Sequence, residues 1–374
     1  MQIQSIEDRI NSFLEKKFRY SRSYATKATY ATALKKFQEF LGVKYNLDIN
    51  QAILQFETKT LDPIVILDEL YTYLSTYQRK DGKIGYGNSA ITTTIVVTKE
   101  FLNSQNLHIY NEDIKQRFRL PKKQAVFEEG LTKEILVRLL HNSSPKLQTA
   151  ILMCASSGMR IGELIQLKIS DIDFGTNPTT IHLRKETTKT RDSRFTCIST
   201  EASNSLKDYL RKKFGWTETS KDDKYIFLNN EHDYTQPDNY NRKRSSTECT
   251  LVQALLQVVK SVPELSMKNE NGRNNIHFHA FRAWFKTQVT NAHQSDFAEA
   301  LMGHKSIKLV YFRQNAKDRL KTYLEVEPAL TISDFARFES SMEDLKAELA
   351  SMKIEIEKQR QRLEVAEKYQ KIEN

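Results

Sequence analysis

The amino-acid sequence predicts a mainly α-helical protein with a small β-sheet, an α+β chain, and three observations predict it. Apolar residues recur at helix spacing through most of residues 1–120 and again beyond residue 131. Short stretches of alternating character gather between residues 164 and 228. The C-terminal residues follow a heptad seam. A chain of 374 residues is too long for one ordinary core. The expected division is a helical domain over 1–120, a linker over 121–130, a second domain over 131–332 and a coiled-coil helix over 333–374.

In the first domain, Ile6, Ile10, Phe13 and Leu14 fall on one face of a helix. The stretch from Lys16 to Tyr24 is basic with interleaved aromatics. Thr26 or Thr29 is placed to cap a helix bearing Tyr30, Leu34, Phe37 and Leu41. Asp62-Pro63 opens a further helix through Leu67, Leu70 and Leu74. A turn cluster runs from Asp81 to Asn88, and a helix from Ile91 to Leu102. The basic segment Arg117 to Ala125, with Pro121 inside it, reads as the interdomain connection.

The second domain opens at Thr132, an N-cap residue, and helices follow to Gly158. Strands are expected at Leu167–Ile169, Thr180–Arg184 and Arg194–Ile198, with a short one at Tyr225–Leu228 inside a polar stretch over 216–250. Helices resume from Leu251, and Lys268 to Asn275 is an Asn- and Gly-rich loop. In the tail, Phe338, Met342, Leu345, Leu349, Met352 and Ile356 step by four and three, and the seam weakens afterwards.

The net charge is +10. An excess of lysine and arginine attracts phosphate backbones, although composition alone does not separate a nucleic-acid binder from a merely basic protein. Distribution does more. Residues 1–125 carry 19 basic and 13 acidic side chains, residues 126–330 carry 30 and 24, and the tail carries 8 and 10. The surplus belongs to the two domains and is absent from the tail, a distribution with which two basic lobes could clasp a duplex from both sides. No apolar run approaches a membrane span, the longest aliphatic one being Ile64-Val65-Ile66-Leu67. The N-terminus lacks the order of a signal peptide, so the expected compartment is the cytoplasm. The three cysteines, Cys154, Cys197 and Cys249, are scattered without metal-site spacing, and Cys154 reads as a core thiol.

Four segments of the second domain carry chemistry in a fixed order. Ser156-Ser157-Gly158-Met159-Arg160-Ile161-Gly162-Glu163-Leu164 places an arginine after a glycine turn at a helix start, where its planar fork can take a phosphate. Lys189, in Glu186-Thr187-Thr188-Lys189-Thr190-Arg191, sits on the tip between two strands. In His277-Phe278-His279-Ala280-Phe281-Arg282, helix spacing turns His279 and Arg282 the same way, while Phe278, Phe281 and Phe285 pack inward; His277 is a cap or loop residue. Leu301-Met302-Gly303-His304-Lys305 is followed by Tyr311-Phe312-Arg313. Each segment alone has an ordinary reading as a surface cation, a solvated turn or a core aromatic. Together, two arginines, two histidines, a lysine and a tyrosine suit phosphoryl transfer without metal. Two guanidinium forks stabilise the charge of the transition state. The tyrosine oxygen is a covalent nucleophile, the lysine protonates a leaving 5′ oxygen, and the histidines orient or exchange protons.

These segments resemble the boxes of the tyrosine recombinase, or phage integrase, family. Residues 156–164 are similar to its first arginine box, Lys189 to its hairpin lysine, His279 and Arg282 to its HxxR box, Gly303-His304 to its GH box and Tyr311 to its nucleophile. The likeness covers about 128–330, and residues 1–120 resemble the family's core-binding domain more loosely. The run from Tyr311 to Ile332 and the tail are reminiscent of archaeal integrase-like members. The resemblance implies a DNA strand transferase that needs no cofactor and no metal, binds double-stranded DNA and self-associates as a tetramer on it. One spacing departs from the family: Tyr311 lies seven residues past His304, a couple fewer than usual, and Tyr323 lies twelve beyond Tyr311.

Three other readings compete. A metal-dependent nuclease or transposase needs clustered carboxylates, for which Asp171, Asp173, Asp222 and Asp223 are the candidates. A type IB topoisomerase uses nearly the same residues as a recombinase. A non-catalytic DNA-binding relative would keep a relict site. Covalent trapping of DNA without magnesium separates all but the topoisomerase, and exchange between two duplexes separates that too.

Overall fold

A computed structural model describes residues 5–79, 82–117, 129–219, 223–229, 235–269, 272, 274–304 and 315–333, together with 352, 353 and 356. The chain divides into two compact units, Met1–Ala125 and Val126–Asn374, each with its own apolar core. The positions expected to form the linker lie outside the described residues except for Glu129 and Gly130. So does the heptad seam, except at Met352 and Ile356.

The first unit is a helical bundle of α1 (Ile6–Ser21), α2 (Tyr24–Tyr45), α3 (Ile49–Glu57), α4 (Pro63–Thr76), α5 (Asn88–Ser104) and α6 (Asn111–Arg117). Side-chain caps start the first four. Ser5, Ser23, Asp48 and Asp62 each accept a backbone N–H of the first turn, and Pro63 follows Asp62 at the position where its missing N–H costs nothing. The cap of α2 is Ser23, not Thr26 or Thr29. The Ser23 backbone is extended and its hydroxyl takes the Thr26 N–H at 3.2 Å, whereas Thr29 already lies inside the helix, bonded to the Ala25 carbonyl. Helix α2 packs against α1 and α5, and its Phe37, Phe40 and Leu41 are fully buried. Each such side chain contributes about 1.5–3 kcal/mol of transfer free energy.

The second unit is built on α8 (Pro145–Ser157), which is buried along most of its length and touches helices on several sides. Helix α7 (Lys133–His141) precedes it, capped by Thr132, and the one-turn α9 (Ile161–Leu164) follows. A three-stranded antiparallel sheet comes next, β1 (Ile172–Asp173), β2 (Thr179–Leu183) and β3 (Arg194–Ile198), in that spatial order. Register pairs Ile172 with Ile181, and Leu183 with Arg194. The remaining helices are α10 (Thr200–Phe214), α11 (Pro237–Ser261), α12 (Phe278–Asn291), α13 (Ser295–Met302) and α14 (Ala316–Leu330).

The mainly helical class with a small sheet is thus the observed one, with three local corrections. Residues 167–169 and 225–228 are not strands of the sheet. They meet each other as one bridge, Lys168 to Tyr225, flanked by the bonds Ile169 N–H to Lys224 O and Ile226 N–H to Leu167 O. The first strand is instead Ile172–Asp173, too short to show a period. Helix α11 begins at Pro237 rather than Leu251; its first half is polar all round, so it carries no apolar stripe to read.

Candidate active site

The end of α8 organises the site. The last carbonyls of a helix lack intrahelical partners, and here three successive ones are taken by side chains from distant parts of the chain. Ser156 O accepts from the Tyr323 hydroxyl at 2.7 Å, Ser157 O from the Thr196 hydroxyl at 3.0 Å, and Gly158 O from Arg282 Nη1. Gly158 itself is left-handed, with φ +64°, and a Cβ there would stand 2.4 Å from the Phe285 ring. Only glycine makes this turn against α12, and the turn delivers Arg160 to the start of α9.

Arg160 is the N-cap residue of α9. Its backbone N–H donates to Glu163 Oε2 at 2.9 Å and its Nη1 to Glu163 Oε1 at 3.1 Å, while 28% of its side chain stays exposed. Glu163 is almost fully buried and also takes the fork of Arg194, Nη1 at 3.1 Å and Nη2 at 2.7 Å. Burial pushes the Glu163 carboxyl up, but the hydrogen bonds and charge of Arg194, then of Arg160, bring it below its usual range.

The second arm comes from α12 and α13. Gly303 ends α13 in the left-handed region, with Gly303 N–H on Ala300 O and His304 N–H on Glu299 O, both at 3.1 Å. This pair of bonds is a Schellman motif. It turns the His304 ring back beside the Glu299 side chain, whose carboxylate bonds Nδ1 and pairs with Lys286. On its other side His304 Nε2 meets Arg282 Nη2 at 2.9 Å. A guanidinium only donates, so Nε2 accepts and the ring proton sits on Nδ1. Arg282 Nη2 also donates to Met302 O at 2.8 Å. The Arg282 side chain is buried, and burial first, then the charge of Arg160, pulls its guanidinium down to about 10. It remains charged at neutral pH.

The structure therefore joins Arg160, Arg282 and His304 in one network through Gly158, Glu163 and Arg194. His279 stands at the second position of α12, exposed, one turn before the buried Arg282 and with its ring 6.4 Å from that of His277. His277 is the N-cap residue of α12, its Nδ1 2.9 Å from Asn275 O. Lys189 is exposed on the β2–β3 connection and is not part of the network among the described residues. Tyr311 lies outside the described residues. Tyr323 is fully buried, and burial, then the neighbouring Cys197, pushes its phenol far above the ordinary value.

Sequence reasoning missed Arg194, Glu163, Glu299, Lys286 and the role of Tyr323. Glu163 had a local signal, its capping distance of three residues from Arg160. Glu299 lies five residues before His304, across the turn that ends α13, and Arg194, Lys286 and Tyr323 act across longer stretches of chain and left none. Among the described residues, no group of three or more His, Cys, Asp or Glu is placed to hold a metal ion. The carboxylates weighed for that role are engaged locally: Asp171 with Arg184 at 3.0 Å, Asp173 with the Gly175 N–H at 2.9 Å, and Asp223 with Lys168 at 2.6 Å. Asp222 lies outside the described residues. No described helix is long and apolar enough to cross a membrane.

Comparison with known proteins follows the same lines. Residues 129–319 match a sequence model of the phage integrase family. No curated protein matches the chain. Among solved structures, the chain is similar to a lambda integrase (75–356) dimer bound to a COC′ core site, with 15% identity, a TM-score of 0.54 and coverage of 84% of this chain and 100% of that one. A lambda integrase tetramer bound to a Holliday junction gives 16% identity, a TM-score of 0.55 and coverage of 81% and 78%. The XerH site-specific recombinase bound to its difH substrate gives 17%, 0.50, and 83% and 82%. At these identities the likeness is one of fold.

Proposed function

The chain belongs to the phage integrase family of tyrosine recombinases, and from that premise we propose that it cuts and rejoins double-stranded DNA through a 3′-phosphotyrosine on Tyr311, with neither metal nor ATP. The observation that carries this reading is Arg282, whose fork ties the Arg160 turn to the His304 turn through Gly158 O, Met302 O and His304 Nε2. It assembles two cations and an imidazole from segments more than a hundred residues apart.

In this reading the Tyr311 oxygen attacks the scissile phosphorus and the bond to the 5′ oxygen breaks. Arg160 and Arg282 stabilise the charge that builds on the nonbridging oxygens. Lys189, exposed and on a reachable connection, gives a proton to the leaving 5′ oxygen. His304, with Nδ1 directed to Glu299 and Nε2 accepting from Arg282 Nη2, holds the Arg282 fork in place, and His279 orients the phosphate. Attack by a second 5′ hydroxyl on the phosphotyrosine reverses the step and rejoins strands without ATP. The burial and hydrogen bond of Tyr323 favour Tyr311 as nucleophile, because a phenol so engaged reaches no phosphate.

Charge supports the substrate class. Residues 1–125 and 126–330 carry the same basic surplus, and in the first unit Lys36 lies 3.8 Å from the Tyr86 ring centre with Arg79 5.6 Å from it, a cationic-aromatic group suited to a sugar-phosphate backbone. Strand exchange needs several protomers on two duplexes, and a lambda integrase is known as a tetramer on a Holliday junction; the same assembly is proposed here, with the tail as its apolar seam.

The test is a suicide substrate, made by selecting a duplex site with the full-length protein from a random-sequence pool and nicking it near the cleavage point. Wild type in excess EDTA should give a covalent adduct and Tyr311→Phe none. An adduct with Tyr311→Phe, or a magnesium requirement, overturns the reading.

A further inference from the structure

We propose that Arg194 is a positioning residue that keeps Glu163 from capturing Arg160, so that the Arg160 guanidinium stays open to a phosphate. The inference rests on the reading of Arg160 as a phosphate ligand.

Glu163 has about four lone-pair positions, and the structure fills four. Oε1 accepts from Arg160 Nη1 and Arg194 Nη1, and Oε2 from the Arg160 N–H and Arg194 Nη2. The shares differ. Arg194 commits both ends of its fork and its Nε as well, the latter to Leu301 O at 2.8 Å, and is only 10% exposed. Arg160 commits a single side-chain N–H and stays 28% exposed. Among side chains, the buried carboxylate is therefore satisfied mainly by the less exposed arginine, and the one at the turn keeps most of its side-chain donors.

Removing Arg194 would leave a buried carboxylate with half its donors, which is costly. The nearest cation able to supply them is Arg160, three residues away on the same helical turn. A bidentate pair with Glu163 would occupy the fork that a phosphate needs. A lysine at 194 has one ammonium and cannot reproduce the two parallel bonds and the third to Leu301. The place is also shaped for arginine: a Cβ on Gly303 would stand 2.9 Å from Arg194 Cδ, so the glycine before His304 leaves room for this side chain. Arg194 thus touches both arms of the site.

The experiment measures single-turnover adduct formation by full-length protein on the selected, nicked duplex, well below each variant's melting transition. Arg194→Ala should slow it about a hundredfold, comparable to loss of one transition-state donor. Neutralising the captor should then help: Arg194→Ala/Glu163→Gln should be at least tenfold faster than Arg194→Ala. A purely structural defect would instead add in the double variant. If Arg194→Ala does not fold, Arg194→Lys against Arg194→Lys/Glu163→Gln gives the same comparison. The inference is overturned if the double variant is no faster than the single one, or if Arg194→Ala matches wild type while Arg160→Ala is inactive. Wild-type rates from Arg160→Ala would overturn the reading beneath it instead.

Discussion

The Tyr323 hydroxyl donates to the Ser156 carbonyl at 2.7 Å, across 167 residues of chain, and both groups are buried. The bond fixes α14 to the end of α8, the same end that turns at Gly158 to present Arg160. Tyr323→Phe leaves a buried carbonyl without its donor, so it should lower stability by about 1–2 kcal/mol while adduct formation persists. Tyr311→Phe should do the opposite, keeping the melting temperature and DNA affinity but forming no adduct. Thermal melting and adduct gels on both variants decide it; adduct lost from the Tyr323 variant alone would move the nucleophile.

Arg282 and Arg160 should separate in kind. Each alanine variant should slow cleavage roughly a hundredfold or more. Arg282→Ala should also destabilise the fold by about 2–3 kcal/mol, because a buried cation bonds Gly158 O, Met302 O and His304. Arg160→Ala, partly exposed, should cost clearly less. Denaturant titration beside cleavage kinetics checks the split, and equal stability losses would contradict it.

Lys189→Ala should be rescued on a substrate whose 5′ leaving oxygen is sulfur. A thiolate leaves without a proton, so a general acid becomes dispensable. Equal defects on the oxygen and sulfur substrates would remove Lys189 from that role and leave it a phosphate contact.

The Glu163 carboxyl is held below its usual 4.5 in the folded protein. A depressed folded value contributes stability that is present above the unfolded value and lost as pH falls through the folded one. Glu163→Gln should therefore melt below wild type at neutral pH, and the gap should narrow as the pH drops below about 4.5. Scanning calorimetry from neutral to acid pH reads this directly; a gap that stays constant would show that the carboxylate contributes nothing through its charge.

The tail is proposed to serve assembly. Glu201 accepts the backbone N–H groups of Ile332 and Ser333, each at 2.9 Å, which ties the end of the catalytic segment to α10. A chain stopped after Ser333 should keep cleavage of the suicide substrate but lose self-association or complete strand exchange. Sedimentation of the full-length and shortened proteins, with and without DNA, measures it. Identical species that recombine equally well would end the assembly role.

Much of this architecture was legible because its causes are local. The Asp62-Pro63 start of α4, the Thr132 cap of α7 and the limits of β3 depend on residues within a few positions of one another. The order of the chemical segments was legible for the same reason, since Gly158 and Gly303 mark turns that residues with a Cβ do not make. Where local signals were weak the reading slipped: the polar first half of α11 has no stripe, and the two residues of β1 have no period.

By itself, then, the sequence determined the helical class, the ordered segments and the residue types suited to phosphoryl transfer. Only the tertiary structure decided which groups share the site and which merely support it. It put Arg194 between Glu163 and Leu301, brought Arg282 to His304, and buried Tyr323 against Ser156 while leaving Arg160 partly open. Those outcomes follow from desolvation. A buried donor or acceptor must find its partner wherever the packed chain offers one, and sequence distance carries no information about where that will be.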